Sequence, residues 1–224
     1  MLSIGKLTAG AEDYYLGAVV RGAEEYYDDA GEIPGRWTGT GGQLLGLGGQ
    51  VDAEQLRAVL AGRHPHTGEP FSETRRRVPG FDLTFSAPKS VSLLYAFGTA
   101  HDSSQAIKAH EAAVDGALGY LEREACRVRR GHAGETEYPA TGFVAAAFRH
   151  RTSRAGDPQL HTHVLVANLG LGPDGRWSAL RGRHLYTHAR TAGFLYQAHL
   201  RFELTARLGI RWHQPARGDR KSVV

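Results

Sequence analysis

Two apolar runs separated by a short connector, residues 142–150 and 159–169, place three histidines where a hairpin would bring them together. His161-Thr162-His163 sits inside the second run. Side chains alternate along a strand with period 2, so both imidazoles share one face and Thr162 takes the other. The first run ends at His150, and the connector 151–158 suits an antiparallel return. If 150 pairs with 161, then 148 pairs with 163, and opposed Cβ atoms on one face lie about 4.5–5.5 Å apart. The sequence therefore predicts three imidazoles in one volume. Three neutral nitrogens with positions left open are the donor set of a catalytic metal site rather than a structural one. His64, His66, His184, His188 and His199 share no such geometry and read as ordinary polar residues.

The rest of the chain reads as α+β. Phe81 to Ser86 alternates apolar and polar like a half-buried strand, with Asp82, Thr84 and Ser86 on its polar side. Asp82 is thus a candidate acceptor for a ligating imidazole, or a solvent-facing strand residue. Helices are expected over 11–20, 53–60, 89–97 (opening after Pro88), 103–127 and 187–208, the last stopped by Gly209. Residues 31–50 are Gly-rich and loop-like, and lack the Gly-Lys-Ser/Thr ending of a phosphate loop. Strands and helices do not alternate in the rhythm of a parallel sheet.

Composition narrows the classes further. A 224-residue chain that is 41% hydrophobic can bury a core, and its one cysteine, Cys126, excludes a disulfide framework or a thiolate zinc cluster. No apolar run approaches the ~20 residues of a membrane span, and no secretory leader opens the chain, so a cytoplasmic protein without membrane insertion is expected. The net charge of +4 conceals an asymmetry: residues 1–140 hold 14 basic and 19 acidic side chains, residues 141–224 hold 13 and 4. That suits either a polyanion partner or a solvated Arg-rich face. Arg149, Arg151 and Arg154 flank the first histidine, and arginines beside an open metal site favour a phosphate ester.

Two tyrosine pairs, Tyr14-Tyr15 and Tyr26-Tyr27, are followed by Gly80-Phe81-Asp82-Leu83-Thr84-Phe85-Ser86-Ala87-Pro88-Lys89-Ser90-Val91-Ser92, then Phe148-Arg149-His150-Arg151-Thr152-Ser153-Arg154, then Asp157-Pro158-Gln159-Leu160-His161-Thr162-His163. In this order they resemble the relaxase domain of MobF-type conjugative relaxases, within the wider HUH endonucleases. The resemblance implies a two-layer, permuted-palm fold with a central antiparallel sheet and helices on its faces. It implies site- and strand-specific nicking and rejoining of DNA at a plasmid transfer origin, through a 5′-phosphotyrosine. By position Tyr14 matches the first nucleophile and Tyr26 the second, with Tyr15 and Tyr27 as alternatives. Asp82 matches the carboxylate that orients a ligand histidine and helps deprotonate the tyrosine. His150, His161 and His163 would hold one divalent ion, with Mg, Mn or Zn the candidates. Lys89, Arg149, Arg151 and Arg154 are the candidates for binding DNA phosphates. The implied partners are single-stranded DNA, with an adjacent hairpin, and relaxosome accessory proteins. The whole chain, 1–224, then reads as one relaxase domain cut short at its C-terminal end, without a helicase. Two other readings remain from the residues: a three-His metallohydrolase or oxygenase, whose usual home is an all-β barrel, and an inactive DNA-binding remnant.

Overall fold

A computed structural model describes residues 1–11, 13–15, 34–72, 78–131, 135–153 and 155–212. Its centre is an open five-stranded sheet in the order β1-β3-β7-β6-β2, with every pair antiparallel. The strands are β1 (Leu2–Lys6), β2 (Arg36–Thr38), β3 (Gly80–Ser86), β6 (Ala145–Thr152) and β7 (Pro158–Ala167). Between β3 and β6 run the short strands β4 (Arg127–Arg130) and β5 (Thr136–Pro139), which pair with each other. An open sheet carrying two long helices is no all-β barrel.

Helices α4 (Ala100–Ala125) and α5 (Arg183–Leu208) pack together on one sheet face. α4 starts at a capping box, Thr99 with Asp102, three residues before the start predicted from periodicity. Its buried stripe, including Ala113, Val114, Ala117, Leu118 and Leu121, meets Leu83, Phe85, Val164 and Val166 from the sheet. α5 ends at Gly209, whose φ of +65° is the left-handed conformation of a helix C-terminus. α2 (Ala53–Leu60) and α3 (Lys89–Phe97) form over the predicted residues. α2 belongs to the other face, where a second apolar cluster contains Phe148, Leu165 and Trp37, whereas the helical turn α1 (Thr40–Gln43) follows the edge strand β2 and its Thr40 N–H donates to Glu122 of α4 at 2.8 Å.

The glycine-rich stretch differs from its loop-like reading. It contains β2, which pairs Arg36–Thr38 with Ala147–Ala145, and then α1. Glycine serves close approach here: a Cβ on Gly35 would strike the Phe148 ring, and Gly39, at φ +83°, would strike the Phe143 carbonyl. The Gly-rich composition reads as a loop, whereas the sheet edge uses glycine to fit beneath its neighbours.

Buried polar groups interrupt the helix-side core. His110 of α4 is fully buried and shares 2.8 Å hydrogen bonds with the Tyr196 hydroxyl and with Thr162 Oγ1. Burial first, then the Arg149 charge, pushes the His110 pKa down to about 3. An unfolded chain protonates this imidazole below about pH 6.5 and the folded chain does not, so stability is full above that pH and falls as pH drops towards 3. The slope contributed is at most about 1.4 kcal/mol per pH unit. Denaturant unfolding between pH 7 and 4 should show a shallower decline for His110→Gln than for the parent chain. Equal slopes would remove His110 as the source.

Candidate metal centre

The face of the hairpin turned away from α4 carries the three histidines. The register places His150 opposite His161 and Phe148 opposite His163, as the sequence pattern predicts. Ring centroids are 5.1 Å apart for all three pairs, and one nitrogen from each ring lies within 4.8 Å of the others. Among the described residues this is the one His/Cys/Asp/Glu group with such spacing.

Hydrogen bonds fix which nitrogen two of the rings present. His161 Nδ1 lies 2.8 Å from the Gln159 carbonyl oxygen. His163 Nδ1 lies 2.9 and 3.0 Å from the two oxygens of Asp82. A carbonyl and a carboxylate accept, so both Nδ1 atoms carry hydrogen and Nε2 is the nitrogen left to face an ion. Burial lowers the pKa of His150 to about 4, with His163 and His161 adding to the effect, and burial also lowers that of His161. His150 and His161 are therefore neutral at pH 7, the form a metal ion requires. Oriented, neutral, convergent imidazoles fit a divalent ion with positions left for another ligand.

Asp82 reaches this centre from β3, whose register sets Thr84 opposite His163 and Ser86 opposite His161. Its carboxylate also accepts from the Tyr15 hydroxyl at 2.9 Å and from Thr84 Oγ1 at 3.3 Å. Asp82 is thus a second partner behind a ligand-type imidazole, and Tyr15 and Thr84 hold it in turn. Tyr15 is 7% exposed and its ring lies 5.1 Å from that of His163. Tyr14, its neighbour, is 45% exposed and stands edge-on to it at 5.1 Å. Both line a cavity of about 410 Å³ together with His150, His161 and His163. Thr152, Ser153 and Gln159 complete its polar wall. These hydroxyls and the amide lack a distinguishing residue pattern, although Thr152 shares the face of His150 by alternation.

The basic candidates are placed differently. Arg149 is not beside the cavity: strand alternation turns it to the opposite face, where it pairs with Glu111 of α4 and stands across from Thr162. Arg151 donates to the Tyr95 hydroxyl of α3 at 3.4 Å. Lys89 Nζ donates to the Pro158 carbonyl at 3.1 Å, tying the start of α3 to β7. The predicted anion route through Arg149 is corrected by its side of the sheet. Tyr26, Tyr27 and Arg154 lie outside the described residues. Three of the histidines that the sequence reads as ordinary polar residues behave as such: His66 meets the Leu45 carbonyl, His184 meets Glu137 and His188 meets the Tyr120 hydroxyl.

Comparisons with known proteins agree with this geometry. A family model described as TrwC relaxase matches residues 8–223. Two Escherichia coli proteins, each described as multifunctional conjugation protein TraI, are 36% identical over 218 residues and 37% identical over 204. The first match covers 91% of this chain and 12% of the relative, the second 82% and 11%, so the chain spans about an eighth of their length. Among solved structures, the metal-bound conjugative relaxase TrwC in complex with OriT DNA is 37% identical, with a TM-score of 0.78 over 96% of this chain and 73% of that one. TrwC complexed with a 27-mer DNA comprising the recognition hairpin and the cleavage site is 36% identical, with a TM-score of 0.76 over 98% of this chain and 73% of that one. No helix among the described residues is long and apolar enough to cross a membrane.

Proposed function

The chain belongs to the TrwC relaxase family of MobF-type conjugative relaxases, and on that premise we propose that it nicks and rejoins one DNA strand at a transfer origin, with Tyr14 as nucleophile. The observation that carries the reading is the shared cavity of an exposed tyrosine and three convergent imidazoles.

In this reading His150, His161 and His163 would hold one divalent ion, of which Mg, Mn and Zn are the candidates. When bound, the ion supplies positive charge to the non-bridging oxygens of the scissile phosphate. Tyr14 attacks the phosphorus: the Oη–P bond forms, the P–O3′ bond breaks, and the 3′ oxygen leaves as a hydroxyl, taking up by way of water the proton that Asp82 receives from the phenol. The phenol proton passes to Asp82, the carboxylate of the cavity. Asp82 also keeps the His163 ring oriented through its Nδ1–H. In the return step the 3′ hydroxyl attacks the phosphotyrosine, reseals the strand and frees Tyr14. A phenol with an ordinary pKa of about 10 is a weak nucleophile, so positioning and charge neutralisation carry most of the rate.

The substrate is single-stranded transfer-origin DNA with an adjacent hairpin, a reading supported by TrwC having been solved with a 27-mer DNA comprising the recognition hairpin and the cleavage site. Relaxosome accessory proteins are the partners the family premise adds, and the cytoplasm is where we place the reaction. Incubation with labelled transfer-origin oligonucleotides and Mn²⁺ should yield a covalent adduct on a denaturing gel. Chelation should abolish it and added Mn²⁺ restore it. An adduct indifferent to chelation would leave the histidines without a part in the reaction.

A further inference from the structure

Behind the metal centre, two consecutive residues of α4 hold the histidine hairpin. His110 shares a 2.8 Å hydrogen bond with Thr162 Oγ1, and Glu111 accepts from Arg149. Thr162 and Arg149 are themselves a cross-strand pair, lodged between the pair Phe148/His163 and the pair His150/His161. Thr162 is one peptide from both His161 and His163, and Arg149 is one peptide from His150.

We propose that His110 and Glu111 are positioning residues that set the three imidazoles from the rear of the sheet, an inference that rests on the metal-centre reading above. Side chains leave a strand alternately, so a rotation of the strand at Thr162 swings both neighbouring imidazoles together. A slip of one residue would exchange them with Thr162 across the sheet. The inner face of β7 around Thr162 is otherwise apolar, with Leu160, Val164 and Val166 all fully buried. A valine at 162 would fill the same space with no directional preference. The hydroxyl adds a direction, because a hydrogen bond weakens steeply off its axis. His110 is anchored at its other end by the Tyr196 hydroxyl at 2.8 Å, so the hairpin is referenced to both long helices. The ion pair of Arg149 with Glu111 is partly buried, and such a pair contributes little net stability over an apolar substitute. What the pair and the hydrogen bond contribute is geometry.

The test separates geometry from stability. In Thr162→Val/His110→Leu/Tyr196→Phe all three hydrogen-bonding partners become apolar together, so none of their buried polar groups is orphaned and folding stability should stay close to that of the parent. Titration with Co²⁺ alone, followed by visible absorption, should nevertheless show about 10-fold weaker binding and an altered absorption band, the scale of effect for partners behind metal ligands. Thr162→Ser, which keeps the hydroxyl, should bind as the parent does. A folded triple variant with the parent's affinity and spectrum overturns the proposal. If the triple variant does not fold, Glu111→Leu receives the same titration, and parental affinity and spectrum there overturn the proposal equally. A parent chain that binds no Co²⁺ overturns the metal reading and the positioning role with it, which distinguishes the two failures.

Discussion

Tyr14→Phe is expected to abolish the first covalent protein–DNA adduct, whereas Tyr15→Phe is expected only to slow it. The substitution at 14 removes one oxygen and keeps the ring that stands edge-on to Tyr15, so the local packing survives without the nucleophile. At 15 the lost hydroxyl is a donor to Asp82. Asp82 retains His163 and Thr84, so the carboxylate stays in place with one bond fewer. A hydrogen bond to a charged group is worth about 1.5–3 kcal/mol. If that much is lost in the transition state, adduct formation slows by roughly 10- to 100-fold. Single-turnover kinetics with a labelled oligonucleotide at saturating metal read both numbers. The reverse result, an adduct in Tyr14→Phe and none in Tyr15→Phe, would transfer the nucleophilic role to the buried ring.

Loss of a ligand histidine should be the second large effect. His161→Ala leaves two imidazoles where three converge, and its cost should exceed the roughly 10- to 100-fold that partners behind the ligands command. Metal titration of this variant should therefore show affinity lowered by more than about 100-fold, with the adduct lost at metal concentrations that saturate the parent. His66→Ala provides the contrast: that ring meets the Leu45 carbonyl, away from the cavity, and metal affinity should not change. Equal losses in the two variants would point to a general effect of removing histidine, and the converging-imidazole account would fall.

The metal centre was largely legible because it depends on a single periodicity. Strand alternation with a short connector determines the pairing of His150 with His161 and places His163 on the same face, and the structure has that register. Asp82 was legible as a polar-face residue of its strand, but its bond to His163 was open until β3 was seen beside β7. The same alternation places Arg149 behind the sheet, and nearness in sequence to His150 obscured this. His110 carries no local signal at all: one histidine on a helix acquires meaning only when Thr162 and Tyr196 arrive from elsewhere in the chain. The tyrosine pair shows the other limit. Two identical neighbours in sequence become one exposed and one buried phenol, and only tertiary packing decides which is which. Similarly, β4 follows directly on a helix predicted to run to 127, because α4 gives way at Cys126 to a strand whose partner is β5.

All three imidazoles belong to one local hairpin, and this bears on how an ion would couple to folding. Closing a short loop has a small entropic cost, so a denatured chain can present the same donors transiently. Ligand-induced stabilisation reflects the difference in affinity between native and denatured states, and denatured-state binding through histidines reduces it. Metal should thus raise the unfolding temperature by less than its native-state affinity alone implies. The complementary benefit falls on assembly: an ion captured by the hairpin can organise β6 and β7 before β3 arrives with Asp82.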